Sequence, residues 1–384
     1  MEGDAFAHMR PFRDDEVPAA IALLKQSVDW HEVLAPFMGA ELATRVLDQM
    51  DRIHTVESFQ EEISKPVVEA ILSASASEVT YSLPEAFDPD GALFISNHRD
   101  IVLDPSLINL ALVQVGAGTT EIGIGSNLLG LPWVKALVRL NRSFIVARGG
   151  TPREQLASSA EVAAYVRDVV LNHRRSVWLA QREGRAKDGD DRTSPALIRM
   201  LLDGGERSSW EDLRVHPVAL SYEWDPCDGM KVRELLMREA NDGHYEKSPG
   251  EDERSMKMGL FGWKGRVHVG VCPPSNWVEG EGRPHQVLAE ATDRSIMSAM
   301  KLWPNQLWAA EQVKPGATRG LWQAESGVCD GCEQRIEEVT RFVQADQAFD
   351  VEAIRMKWCE ITAQPVFNLL EVQAMSSVQD AVKD

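Results

Sequence analysis

Cysteine is scarce in this chain, basic residues are outnumbered, and no long apolar run occurs. Five cysteines among 384 residues, an odd number spread widely, argue against a disulfide framework and fit a reducing compartment. The one close pair, Cys329-x2-Cys332, lacks two further ligands at zinc spacing, so no metal is expected and the pair reads as an exposed helix start. No apolar stretch approaches the ~20 residues needed to span a bilayer, and Met1-Glu-Gly-Asp4 lacks the basic start and apolar centre of a signal peptide. The expected location is therefore the cytoplasm. Lys and Arg number 40 against 59 Asp and Glu, a net charge of −19, which disfavours nucleic acid as a partner because phosphate backbones need a basic face. The Gly-x-Ser-x-Gly turn of a serine hydrolase is missing, and Gly123-x-Gly125 lacks the third glycine of a dinucleotide loop.

What is there is ordinary globular material. Hydrophobic residues make up 44% and charged residues 26% of the chain, enough apolar surface for a sizeable core. The length admits one large domain with decorations or two domains. Residues 1–85 read as a helical region, with apolar residues at three- and four-residue spacings over Ala19–Lys25, Leu42–Met50 and Glu57–Leu72, and Thr55 as a cap. These helices pack on the core or lie on a membrane surface, and Trp30, Phe37 and Met38 suit either. Residues 86–282 alternate strand and helix signals and read as an α/β unit with a largely parallel sheet flanked by helices, interrupted by a charge- and glycine-rich insertion at 226–262. Residues 283–384 read as a helical C-terminal region.

Several strand candidates end abruptly on chemistry-bearing residues. Leu93, Phe94 and Ile95 form a short buried strand that stops at His98, with Asp100 and Asp104 just beyond, and Asp104-Pro105 reads as a cap and first turn of the next helix. In open α/β sheets the carboxyl ends of strands are where ligands bind, and a histidine held there by a carboxylate is a candidate general base. Strand Ser143–Ala147 runs into Arg148, and strand Ser176–Ala180 into Gln181-Arg-Glu-Gly-Arg185, where Gly184 allows a tight turn between Glu183 and Arg185. A proline-bearing strand, Val215–Ser221, leads to Glu223. Arginine suits such an edge because its fork of donors grips phosphate or carboxylate bidentately, and Glu183 reads as a pin for Arg185 or for neighbouring amides. From Lys135 to Lys187, eleven Lys and Arg face four Asp and Glu, read either as a solvated face or as an anion site.

In order and spacing these segments resemble the motifs of the glycerolipid acyltransferase family, which includes lysophosphatidate and glycerol-3-phosphate acyltransferases. Asn97-His98…Asp104-Pro105 is similar to its Asn-His-x4-Asp-Pro motif, Ser143-Phe-Ile-Val-Ala-Arg148 to its second block, Gln181-Arg-Glu-Gly-Arg185 to its Glu-Gly-Thr-Arg block, and His216-Pro-Val-Ala-Leu-Ser221 to its last strand. Tyr222–Asp228, Gly259–His268 and Asp293–Pro304 resemble a bacterial subgroup. The resemblance implies acyl transfer from acyl carrier protein or a coenzyme A thioester to the hydroxyl of a lysolipid, with no bound cofactor, by a protein peripheral on the inner face of the cell membrane. It implies His98 and Asp104, or else Asp100, as the catalytic pair. Asn97, Arg99, Arg148, Glu183, Gly184 and Arg185 would contact the acceptor, most readily lysophosphatidate, or else a lyso-ornithine or lyso-glycine lipid. Two departures stand out: five residues rather than four separate His98 from Asp104, and Ala186 follows Arg185 in a third block without the Phe-Pro lead or the threonine.

Overall fold

The computed structural model describes residues 4–85, 87–202, 204–319 and 327–381. Its centre is a seven-stranded sheet of β1 (Glu78–Ser82), β2 (Leu93–Ser96), β3 (Glu121–Gly125), β4 (Ser143–Val146), β5 (Val177–Ala180), β6 (Val215–Tyr222) and β7 (Arg266–Val271). The spatial order is β1-β7-β6-β2-β5-β3-β4. The run β6-β2-β5-β3-β4 is parallel throughout, so its carboxyl ends line one edge. β7 reverses against β6 and carries β1 parallel to itself.

Successive residues of a strand face opposite sides of the sheet, and here both sides are covered. Leu93 and Ile95 of β2 join Val177, Leu179 and Val215 on one face, under the helices Pro152–Arg167, Pro195–Leu201 and Pro284–Ala299. Phe94 joins Trp178, Val218, Leu220 and Val269 on the other, under Leu103–Gln114 and Lys65–Ser75. A strand buried on both faces reads as a continuous apolar run, which is how Leu93-Phe-Ile announces itself in the sequence.

β1 lies within the stretch read as helical. Glu78-Val-Thr-Tyr-Ser82 has β-branched and aromatic residues suited to a strand, but five residues at a sheet edge are too few to show a period against the helical pattern before them. The rest of that region packs inward: Val17, Ile21, Leu24 and Val46 are buried with Ala136 and Leu140 of the Pro132–Leu140 helix. Trp30 donates its indole N–H to the Leu24 carbonyl and meets Trp133 edge to face at 5.6 Å. The Phe37 side chain lies outside the described residues. Thr55 caps the helix Val56–Phe59 by accepting from the Ser58 amide at 3.0 Å.

The 226–262 insertion is largely helical. It folds into the helices Asp228–Ala240 and Glu251–Phe261, and the first joins the C-terminal helices Pro304–Val313, Val328–Gln344 and Val351–Ala381 in one apolar cluster around Val232, Trp308, Ile336 and Trp358. Buried Asp228 ties them together, accepting from Arg335 at 2.9 and 2.5 Å and from the Trp358 indole at 2.8 Å. Cys329 is exposed at the start of Val328–Gln344, while Cys332 and Cys359 are buried in the cluster. Among the described residues no group of three or more metal-ligating side chains is gathered, and no helix is long and apolar enough to cross a membrane.

Candidate active site

His98 follows β2 at the carboxyl edge of the parallel run. Its Nδ1 lies 2.9 Å from Asp104 Oδ2, its side chain is 13% exposed, and Asp104 is fully buried. The same Oδ2 accepts the backbone N–H groups of Arg99 (2.6 Å) and Asp100 (2.9 Å), while Oδ1 accepts the Tyr222 hydroxyl at 2.9 Å. A carboxylate with donors on both oxygens is fixed in place, and it selects the imidazole tautomer with hydrogen on Nδ1. Nε2 is left as the lone-pair end. The ring meets Trp178 edge to face at 5.8 Å, and Trp178 is held by an indole N–H to Ser96 Oγ bond of 3.0 Å. Burial and the neighbouring Asp104 charge push the Tyr222 phenol well up, which keeps it a hydrogen-bond donor.

Of the two candidate aspartates, Asp104 meets the histidine and Asp100 does not. The helix begins at Leu103 rather than at Pro105, so Asp104 lies inside its first turn and is no cap. Asp100 takes that work: its Oδ1 accepts the amides of Val102 (2.8 Å) and Leu103 (2.7 Å). Its carboxyl is pushed up by burial and by Asp104. The extra residue between His98 and Asp104 is absorbed by this turn. Directly beneath it, a Cβ on Gly259 of the second insertion helix would fall 1.8 Å from Asp100 Oδ2; only glycine lets the helix approach so closely.

Asn97, expected to meet the acceptor, is 1% exposed and points the other way. Its amide donates to the Leu220 carbonyl (2.9 Å) and accepts from the Leu220 N–H (2.7 Å), pinning the end of β2 to β6. Glu223 pairs with Arg266 at 2.7 Å. Glu183 does not pin Arg185. It lies 3.0 Å from Arg148 Nη1, at the exposed rim beyond β4 and β5, while Gly184 next to it adopts φ +70° with open space where a side chain would sit. Arg185 turns inward instead, reaching Ser255 Oγ at 2.7 Å and Cys227 Sγ at 3.7 Å, both supplied by the insertion.

Arg99 also turns toward the insertion. Its Nη2 lies 3.3 Å from Asp225 Oδ2, an atom shared with Lys231 Nζ at 2.6 Å. Burial alone would raise the Asp225 carboxyl, but Lys231 and Arg99 hold it far below the usual carboxylate range. Burial pushes Lys231 down. Beside His98, then, Arg99 and Lys231 share the Asp225 carboxylate and Arg185 lies near Asp100, at the border of a narrow pocket whose lining carries both signs of charge, Lys187 and Lys247 with Glu234, Glu251 and Asp252. The basic stretch from 135 to 187 does not form one face. Arg139 packs on Phe12 and donates to the Arg10 carbonyl, and Arg167 ties the Leu201 and Ser209 carbonyls, whereas Arg148, Arg185 and Lys187 stand at the site and its rim.

Asp191 was not legible as a site residue. It is 6% exposed and its Oδ2 accepts the His98 backbone N–H at 2.6 Å. Lys231, Cys227 and Ser255 were equally hidden, since nothing in the charge- and glycine-rich composition of the insertion marks them.

Residues 78–203 match the family model described as Acyltransferase. Among solved structures, the 1-acyl-sn-glycerophosphate (LPA) acyltransferase PlsC from Thermotoga maritima is similar at 13% identity over 73% of this chain and 96% of its own, with a TM-score of 0.39. No curated protein sequence matches.

Proposed function

We propose that the chain is an acyltransferase that moves a fatty acyl group from a thioester of acyl carrier protein or coenzyme A to the hydroxyl of a lysolipid, 1-acyl-glycerol-3-phosphate above all, a reading supported by the match of residues 78–203 to the Acyltransferase family model. The observation that carries this reading is the His98–Asp104 pair at a sheet edge with Nε2 free to take a proton.

In the reaction, Nε2 removes the proton of the acceptor hydroxyl as its oxygen attacks the thioester carbonyl. The tetrahedral intermediate collapses, the C–S bond breaks, and the departing thiolate takes the proton back from Nε2. Asp104 orients the imidazole and stabilises its positive form, which would otherwise be short-lived in a site this enclosed. No covalent acyl-enzyme is required. Arg185 grips the acceptor's phosphate: among the described residues it meets no carboxylate, only Ser255 and Cys227, so its fork remains available to an anion. Arg99 and Lys231 share the Asp225 carboxylate, so Arg185 is the cation best placed for the acceptor's headgroup. Arg148 with Glu183 and the Gly184 turn form the outer rim, where the acceptor enters from the inner face of the cell membrane, on which the protein sits peripherally.

The test is acyl transfer by the purified protein with both kinds of thioester and a panel of lysophosphatidate, lyso-ornithine and lyso-glycine lipid acceptors, comparing wild type with His98→Ala, Asp104→Asn and Asp100→Asn. Product on lysophosphatidate that needs His98 and Asp104 supports the reading. Product on an amino-acid lipid alone transfers it to that acceptor. A folded protein that binds lipid vesicles yet acylates nothing is a non-catalytic scaffold, and the proposal fails.

A further inference from the structure

The loop from Arg182 to Ser194, between β5 and the Pro195–Leu201 helix, is fastened at both ends of its width. On the inside, the Gln181 backbone N–H donates to the Ser96 carbonyl at 2.8 Å, and the Gln181 side-chain amide donates to the Asp191 carbonyl at 2.5 Å. The Asp191 side chain then reaches across to the His98 N–H at 2.6 Å. On the outside, the Thr193 N–H donates to Asp293 of the Pro284–Ala299 helix at 2.7 Å, and Arg192 meets Asn368 (3.3 Å) and Glu371 (2.8 Å) of the Val351–Ala381 helix. Gly189 closes against that helix: it adopts φ +84°, and a Cβ there would fall 2.7 Å from the Ile361 carbonyl oxygen.

Asp191 carries a cost that packing alone does not explain. Its Oδ1 is buried without a hydrogen-bond partner, and an unsatisfied buried carboxylate oxygen is retained where something offsets it. Among the described residues its side chain reaches the backbone N–H of His98, with the Gln181 side chain also beside it. We infer that Asp191 is a positioning residue for His98, and that the C-terminal helices act on the reaction through it, by clamping the 182–194 loop so that its carboxylate fixes the backbone from which the imidazole projects. This rests on the acyl-transfer reading of the site. It assigns work to the C-terminal region.

Two measurements on the full-length protein test it. The first is native-state hydrogen exchange of the His98 amide, which needs no substrate. Protection of that amide should fall by about a hundredfold or more in Asp191→Ala, as expected when a buried bond opens locally, and be kept in Asp191→Asn, whose amide oxygen can still accept. The second is steady-state acyl transfer. Asp191→Ala should lower kcat by about 10- to 100-fold with KM within twofold, since misplacing a catalytic group by about 1 Å costs up to about 10²-fold. Asp191→Asn should recover most of that loss. Arg192→Met, which releases the loop from the last helix, should lower kcat by a smaller factor, again without a KM change. The inference is overturned by wild-type exchange and wild-type kcat in Asp191→Ala, by a loss confined to KM, or by Asp191→Asn failing as badly as Asp191→Ala. If wild type itself transfers nothing, the acyltransferase reading falls while the exchange experiment still decides whether Asp191 holds His98.

Discussion

The site has a buried centre and an exposed rim, and the two are built on different principles. At the centre, the side chains that position His98 are anchored largely to backbone: Asp104 to two amides as well as to the Tyr222 hydroxyl, Asn97 to Leu220, Asp191 to His98 itself. At the rim, Arg148 and Glu183 are 33% and 74% exposed in their side chains and pair with each other across 3.0 Å. Arg185 stands between, half-buried and held by neutral partners. A centre of this kind pre-orders the reacting group before substrate arrives, and its loss should appear in kcat. A rim of this kind is screened and mobile, so its loss should appear in KM and be small.

The comparison breaks most sharply at His98 and Asp104. His98→Ala and Asp104→Asn should each lower kcat by about 10²–10⁴-fold with KM little changed, the range expected for a general base and for its orienting carboxylate. An Asp104→Asn variant as active as wild type would show that the buried contact does not govern the imidazole. Gly259→Ala tests the floor of the centre. A methyl group inserted 1.8 Å from Asp100 Oδ2 forces the helix or the capping turn to shift, at about 2–3 kcal/mol of stability by overpacking. Chemical denaturation reads it, and a cost below measurement error would mean that the insertion does not press on the turn.

Legibility in the sequence follows the same division. The strand ends at His98, Arg148 and Arg185 could be found because a doubly buried strand is a short unbroken apolar run, and the first polar residues after it stand at the edge. Choosing between Asp100 and Asp104 needed coordinates, because both are within reach of His98 along the chain and the choice turns on where the helix begins. Asn97 was misread because an asparagine that binds backbone looks the same in sequence as one that binds ligand. The Asp191 contact spans 93 residues, and Lys231 and Ser255 sit on helices packed on distant parts of the chain, the first on the C-terminal bundle and the second near the Lys65–Ser75 helix, with Cys227 just before the first, so no local pattern marks them. β1 was hidden by its shortness.

Between centre and rim, Arg185→Met should raise the acceptor KM by about tenfold, near 1.4 kcal/mol, with kcat within about twofold, if its bond to the headgroup is the same in ground and transition states. An equal fall in kcat with no KM change would place Arg185 in the centre. Asp293, which holds the outer side of the 182–194 loop, sharpens the contrast through pH. Burial pushes its carboxyl up to about 6 from 3.8, so the folded state binds the proton more tightly than the unfolded chain does. Its contribution to stability is therefore greatest when protonated and is lost as pH rises from about 4 to about 6. Asp293→Asn removes that dependence. Urea melts should show the variant gaining on wild type by on the order of 1 kcal/mol across this window, and a constant difference between the two would rule the account out.

The smallest effect belongs to the rim itself. Arg148→Met removes a charge whose carboxylate partner, Glu183, stands in solvent, and exposed ion pairs contribute about 0–1 kcal/mol. The expected result is no change in melting temperature and a rise in acceptor KM of about threefold or less, shrinking further between about 0.05 and 0.3 M salt as screening increases. Glu183→Gln should move KM in the opposite direction, because it frees Arg148 for the incoming anion while leaving the Gly184 turn intact. That opposition is what separates a rim that competes for the headgroup from one that merely decorates the surface. If both substitutions raise KM, Glu183 is itself contacting the acceptor, and the boundary between centre and rim must be drawn one residue further out.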